Sequence, residues 1–356
     1  MKRLTSSLLA LGLSALLIAA PTHATADSQR TDFSICWSIY VGWMPWGYAA
    51  DQGIVKKWAD KYGINIDVVQ INDYIESINQ YTVGQFDGCT MTNMDALTIP
   101  AAGGVDSTAL IVGDFSNGND GVVLKGKRNL RDIRGQRVNL VELSVSHYLL
   151  ARALESVGMS ERDVRVVNTS DADLVAVAAT RSVTAVTTWN PLLSEILAMP
   201  NTHLVFDSSK IPGEIIDLLV VNSATLKAHP ELGKALTGAW YETMSRMQDG
   251  ASTASASRSY MAEASGTDLA GYEQQLASTE MFYDPAAAVA FTRSAQLPAT
   301  MQKVAAFSFE HGLLGDGAAD AGFIGVETPA GVVGNPSNIR LRFTADFMQM
   351  AADGSL

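Results

Sequence analysis

Basic side chains are scarce in this chain. Lys and Arg total 25 against 37 Asp and Glu among 356 residues, a formal net charge of −12. A nucleic-acid binder carries a basic surplus or a basic stripe, and neither is present, so no nucleic-acid partner is expected. Cysteine and histidine are also few, at two and five. Their spacing along the chain matches no zinc motif, so neither metal nor cofactor is expected. Cys36 and Cys89 have two open readings, a disulfide in an oxidising compartment or two buried thiols on strands. There is no Gly-x-Ser-x-Gly elbow, no phosphate-binding Gly-x-x-x-x-Gly-Lys-Ser/Thr loop, no His-Glu-x-x-His and no Gly-x-Gly-x-x-Gly. Those absences move the weight from an enzyme toward a binding protein. His147, alone beside a helix start, reads as a structural or capping residue.

Apolar residues make up 47% and charged residues 17%, enough to fill a core and too apolar for a disordered chain. The first apolar run has a different role. Lys2 and Arg3 precede Leu8 to Ala20, an uncharged stretch of 13 residues, and Ala24-Thr25-Ala26 follows with small residues at a cleavage position. That is a signal peptide over 1–26, with the mature chain starting near Asp27. Loss of Lys2 and Arg3, with no acidic residue beside them, takes the formal charge from −12 to −14. No later run is long enough for a membrane helix and no Cys sits at the cleavage site, so a product free in the periplasm or outside the cell is expected.

The remaining pattern alternates strand and helix, which predicts a parallel sheet with crossover helices. Strands are expected at 33–40, 64–71, 88–92 and 105–113, with helices at 48–62, 73–82 and 93–102 between them. A second α/β unit starts near Val122. Strands at 138–141, 164–168 and 182–188 alternate there with helices capped by Ser144 or Ser146 and by Asn190 before Pro191. Residues 84–93 and 181–190 echo one another: a turn, a strand ending in Thr, then a helix opened by Asn. Residues 225–320 read as mostly helical.

Three stretches carry a resemblance: Gly42-Trp43-Met44-Pro45-Trp46-Gly47-Tyr48-Ala49-Ala50, Gly84-Gln85-Phe86-Asp87, and Ser144-Val145-Ser146-His147-Tyr148-Leu149-Leu150. Trp189-Asn190-Pro191 stands where the same proteins often have Trp-Asp-Pro. In order and spacing they resemble periplasmic solute-binding proteins of ABC importers, in the nitrate, sulfonate and taurine branch, over roughly 33–236. The resemblance implies a two-lobed α/β fold with two hinge crossings, near 118–122 and 213–219, and a helical C-terminal part. Lobe I would comprise 27–119 with 219–356, and lobe II 120–218. It implies a monomer that holds a small molecule in the cleft and delivers it to permease subunits, without chemistry. Cys36 to Tyr48 and Asp87 to Ala96 look similar to a subgroup whose importers are associated with urea carboxylase, for which guanidine or urea is the implied ligand.

The residues favour the cation. At the start of the second-lobe helix, Glu142-Leu143-Ser144 replaces the small residues an anion site wants, since a helix N-terminus offers its N–H groups to anions. Asp95 and Asp217 are expected to converge with Glu142, and three carboxylates packed together repel unless a cation joins them. Trp37, Tyr40, Trp43 and Trp46 crowd one strand and its loop, and Trp189 comes from the facing lobe. Only one of Trp37 and Tyr40 can face the cleft, because neighbouring strand residues alternate sides. Guanidinium is planar and charged: its face stacks on aromatic rings and its N–H edge forks onto carboxylates. The ligand expectation is therefore guanidinium, with urea, another small nitrogen or sulfonate compound, or an enzyme on the same scaffold as alternatives.

Overall fold

Strands buried on both faces read as unbroken apolar runs rather than alternating ones. The segments Gly88–Thr92 and Ile216–Asn222 fit that description and lie side by side at the centre of the protein. The structure is a computed structural model describing residues 30–356; the expected signal peptide at 1–26 and the start near Asp27 lie outside the described residues.

The strands are β1 (Asp32–Trp37), β2 (Asn65–Gln70), β3 (Gly88–Thr92), β4 (Ser107–Ser116), β5 (Asp120–Lys125), β6 (Arg137–Leu140), β7 (Arg165–Asn168), β8 (Ala185–Trp189), β9 (Thr202–Asp207), β10 (Ile216–Asn222), β11 (Thr279–Met281), β12 (Gly325–Thr328), β13 (Gly331–Val333) and β14 (Ile339–Phe343). Among the described residues they form two sheets. The larger runs β13-β12-β14-β4-β10-β3-β1-β2, with β11 against β4, and the smaller runs β7-β6-β8-β5-β9. This is the expected α/β class. Both sheets are mixed, because β10 is antiparallel to β3 and β4, and β5 is antiparallel to β8 and β9. The chain leaves the larger sheet after Ser116, enters the smaller at Asp120, leaves it after Asp207 and returns at Ile216.

Local chemistry sets the element ends. Gly53, at φ 69°, splits the single helix expected over 48–62 into Met44–Asp51 and Ile54–Lys61. Pro45 opens the first of these, which therefore starts earlier than the sequence reading placed it. Asp73, Thr92 and Ser144 each accept a backbone N–H from the turn they open. Asn93 was the expected cap for its helix, but Thr92 takes that role. Asn93 instead ties the return crossing, donating to the Glu214 carbonyl at 3.1 Å and accepting the Ile216 N–H at 3.0 Å. Beyond the helical stretch, β12 to β14 extend the larger sheet, which the sequence reading did not foresee.

Cys36 and Cys89 are joined by a disulfide between adjacent parallel strands, with Cα atoms 4.4 Å apart. It closes a loop spanning 53 residues. A loop of that length lowers the entropy of the unfolded chain by an equivalent of about 4 kcal/mol. Replacing Cys89 by Ser should therefore lower unfolding free energy by about that amount, read as a lower denaturant midpoint with a slope that rises as the released unfolded chain expands. An unchanged midpoint would remove this account.

Candidate functional site

Between the two sheets lies a small pocket, about 20 Å³, lined by Tyr40, Trp43, Tyr74, Thr92, Asp120, Val145, Ile215, Asp217 and Trp189. Each comes from the end of an element or its flanking loop, except Asp217, which is on β10. Tyr40 and Trp43 follow β1, in a turn closed by the Trp43 N–H on the Tyr40 carbonyl at 2.9 Å. Tyr74 opens the helix Tyr74–Thr82, and Thr92 ends β3. Asp120 and Trp189 face each other as ladder partners at the ends of β5 and β8. Asp217 is paired across the ladder with Thr92 on one side and Asp114 on the other.

Four aromatic rings form a chain along the cavity wall. Tyr40 and Trp43 meet edge-on at 4.9 Å, Trp43 and Tyr74 lie 5.6 Å apart and tilted 34°, and Tyr74 and Trp189 meet at 5.7 Å. Tyr74 carries the chain from the larger sheet's side to the smaller sheet's Trp189. Both tyrosine hydroxyls point away, onto carboxylates behind the wall: Tyr40 donates to Asp114 at 2.9 Å and Tyr74 to Asp95 at 2.7 Å. The Thr92 hydroxyl also donates to Asp95, at 2.8 Å. The ring faces are thus left to the cavity.

Asp95, Asp114, Asp120 and Asp217 are all buried, whereas no Lys or Arg is buried among the described residues. Burial without a cation favours the neutral carboxyl. It pushes Asp95 up to about 6, against the Tyr74 and Thr92 hydroxyls and the Val145 N–H, which pull the other way. Burial pushes Asp114 and Asp120 each up to about 7; hydrogen bonds from Asp217 and Tyr40 oppose the rise at Asp114, and the Ser116 hydroxyl opposes it at Asp120. Asp217 is driven furthest above the ordinary carboxylate range, by burial and then by the charges of Asp114 and Asp120. One oxygen each of Asp114 and Asp217 has no hydrogen-bond partner. Buried acceptors without donors are costly and mark a place where a donor belongs.

The helix Val145–Ser156 begins at this cavity, yet its first N–H groups are already engaged. The Val145 N–H points to Asp95, and the Ser144 hydroxyl oxygen accepts from Ser146 at 3.2 Å. An anion would find donors occupied and carboxylates around it.

Of the residues expected at the site, Tyr40, Trp43, Trp189 and Asp217 line the cavity, and Asp95 stands directly behind Tyr74 and Thr92. Three do not reach it. The Trp37 ring packs over Gly47, where an added Cβ would come within 2.7 Å of it, so Trp37 is on the core face and Tyr40 on the cavity side. Trp46 stacks on Trp240 at 5.2 Å inside the core. Glu142 is exposed on a turn whose N–H is taken by the Asn168 side chain. Tyr74 and Asp120, which line the cavity, and the buried Asp114 behind Tyr40 are not among the expected site residues. An acidic residue at the mouth of an apolar strand, Asp120 before Gly121 to Leu124, was the available signal.

Residues 37–264, well over half of the chain, match the NMT1-like family. The chain belongs to that family. Its fold is that of two-lobed periplasmic binding proteins. The alkanesulfonate-binding protein SsuA from Xanthomonas axonopodis pv. citri superposes with a TM-score of 0.66 at 18% identity, over 80% of this chain and 95% of that one. The periplasmic nitrate-binding protein NrtA from Synechocystis PCC 6803 gives 0.66 at 12% identity, over 92% and 89%. At such identities the likeness concerns the fold alone. Curated relatives in Brucella abortus and Brucella suis, named only as candidate binding proteins, are 26% identical over 187 residues. That is 52% of this NMT1-like chain and 56% of theirs, so the chain spans about half the length of the curated relatives it matches.

Proposed function

We propose that this NMT1-like protein is the periplasmic solute-binding component of an ABC importer and that its ligand is guanidinium. The observation that carries the ligand is the pairing of an aromatic wall with buried carboxylates that no basic side chain meets, Asp114 and Asp217 each keeping one oxygen without a partner. A flat cation laid against the cavity-side faces of these rings gains roughly 0.5–2 kcal/mol per ring contact. Its N–H edge, turned to Asp120 and Asp217, gains roughly 1.5–3 kcal/mol per charged hydrogen bond. Two ring contacts and two or three such hydrogen bonds together reach the roughly 8 kcal/mol of micromolar binding. A quaternary ammonium would satisfy the rings and leave the Asp217 oxygen orphaned. Neutral urea would bring a carbonyl to a wall of acceptors, and a sulfonate or nitrate would bring negative charge to it.

The lobes proposed are 27–119 with 219–356 and 120–218, the return lying close to the Ile216 start of β10. Closure on the ligand is a hinge motion about the two crossings, and the closed form is what docks on permease subunits. The ligand is carried unchanged.

Titration calorimetry with guanidine, urea, choline and taurine tests the reading. Guanidine should bind at micromolar concentration or tighter, at least 100-fold better than urea, with taurine silent, and should be recovered intact. Preferential binding of taurine, or turnover of the ligand, would overturn it.

A further inference from the structure

The five histidines have no metal spacing along the chain, but folding brings two of them onto one carboxylate. His147 is the third residue of the helix Val145–Ser156, which packs on β5 and β8 of the smaller sheet. Glu161 lies in the turn before β7. His311 follows the helix Gln296–Glu310, which packs on β12 and β13 of the larger sheet. Glu161 Oε2 is 2.7 Å from His311 Nε2, and its other oxygen lies against His147 Nε2. One ligand atom from each residue falls within 4.8 Å of the others.

We propose that His147, Glu161 and His311 form a zinc site that bridges the two halves of the protein. Two imidazole nitrogens and a carboxylate oxygen are a borderline donor set, suited to zinc with a water in the fourth position. The rings are already oriented. His311 Nδ1 is 2.8 Å from the Phe307 carbonyl, and with its proton donated there Nε2 is left as the ligand atom. Both rings pack on Phe307, and their centroids are 5.1 Å apart. His147 is buried, and its Nε2 has no well-formed hydrogen bond although it faces Glu161. A metal-bound pair of nitrogens in a tetrahedron is about 3.3 Å apart, so side-chain rotation of about an ångström closes the site.

Access and cost are both visible. His311 and Glu161 open onto a surface depression edged by Arg152, Glu155, Lys303 and Glu310, which gives the ion a way in. Arg152 and Lys303 are both tied to Glu214, so their charges do not stand free against it. The cost is at His147 Nδ1, which accepts the Leu143 N–H at 3.1 Å. Zinc on Nε2 requires a proton on Nδ1, so that N–H must turn away. Leu143 sits in an exposed turn at φ 63°, a conformation unfavourable for leucine, and movement there relieves it. This exchange sets the expected affinity at micromolar rather than nanomolar. The site does not depend on which ligand fills the cleft.

The test is a zinc titration of the chelator-stripped full chain against a chromophoric competitor, with magnesium as control. One zinc should bind per chain at micromolar concentration, raise the melting temperature, and shift the Leu143 amide resonance. Glu161→Gln and His311→Asn change partly exposed residues, and each should weaken zinc at least 10-fold while the metal-free melting curve stays cooperative. No zinc binding by the parent chain, or equal binding by both variants, would overturn the proposal.

Discussion

Replacing Asp217 by Asn is expected to weaken guanidinium by roughly 100-fold, about 3 kcal/mol, the worth of a charged hydrogen bond at a desolvated site. The same change should make the ligand-free protein more stable at pH 8. Asp217 is wholly surrounded by protein, opposite Asp114 in the β4–β10 ladder and near Asp120, with an oxygen that has no donor. In the ligand-free state its charge is an expense of desolvation and repulsion. In the bound state it is the cation's counter-charge. An amide of the same shape removes both effects, so binding and ligand-free stability should move in opposite directions. Calorimetry and thermal melts on the same two proteins read both. Loss of stability together with loss of binding would mean that Asp217 serves the fold, and equal losses for guanidinium and urea would mean that charge is not what the site reads.

The second large effect is in pH. Asp95 is raised to about 6 and Asp114 and Asp120 to about 7, all by burial first. A carboxyl whose folded value lies above its unfolded one contributes stability below the unfolded value and loses it as pH rises through the folded value. The ligand-free protein should therefore be more stable near pH 5 than near pH 8. For Asp120 alone the difference between those two pH values is on the order of 2.5 kcal/mol. Cation binding has the opposite sign, because guanidinium needs the ionised form and expels the proton. Its Kd should rise about tenfold for each pH unit below 7 for every carboxyl that must ionise, on the order of 100-fold between pH 7 and 5 for one group. Titrations in buffers of different ionisation enthalpy count the protons released. A Kd flat between pH 5 and 8 would show that the carboxyls do not meet the ligand's charge.

Why part of this site was readable and part was not comes down to period and partners. The crowding of aromatics between residues 37 and 48 is visible in the sequence, but strand alternation does not relate Trp37 to Tyr40, since β1 ends at Trp37 and Tyr40 lies in the turn after it. Choosing Tyr40 took the packing of Trp37 on Gly47. Glu142 read as a site residue because it precedes a helix start. Leu143 at positive φ belongs to a turn that instead leaves Glu142 in solvent. Tyr74 carries no site signal in the sequence; only the fold brings the helix it opens against Trp189 from the other sheet.

Charge balance, the apolar strand runs and the capping of helices such as that after Ser144 depend on composition or on residues within a few positions of each other, and the amino-acid sequence alone determined them. Which carboxylates share one dry space is a matter of ladder register and of two sheets meeting. Asp217 comes opposite Asp114 only through antiparallel pairing across 103 positions, and Asp120 meets Trp189 only across the β5–β8 ladder. The same holds for His147 and His311, which are far apart along the chain and adjacent only because one helix packs against another. Burial converts such meetings into energy, since a carboxylate in water costs nothing and the same group walled off from water demands a positive partner.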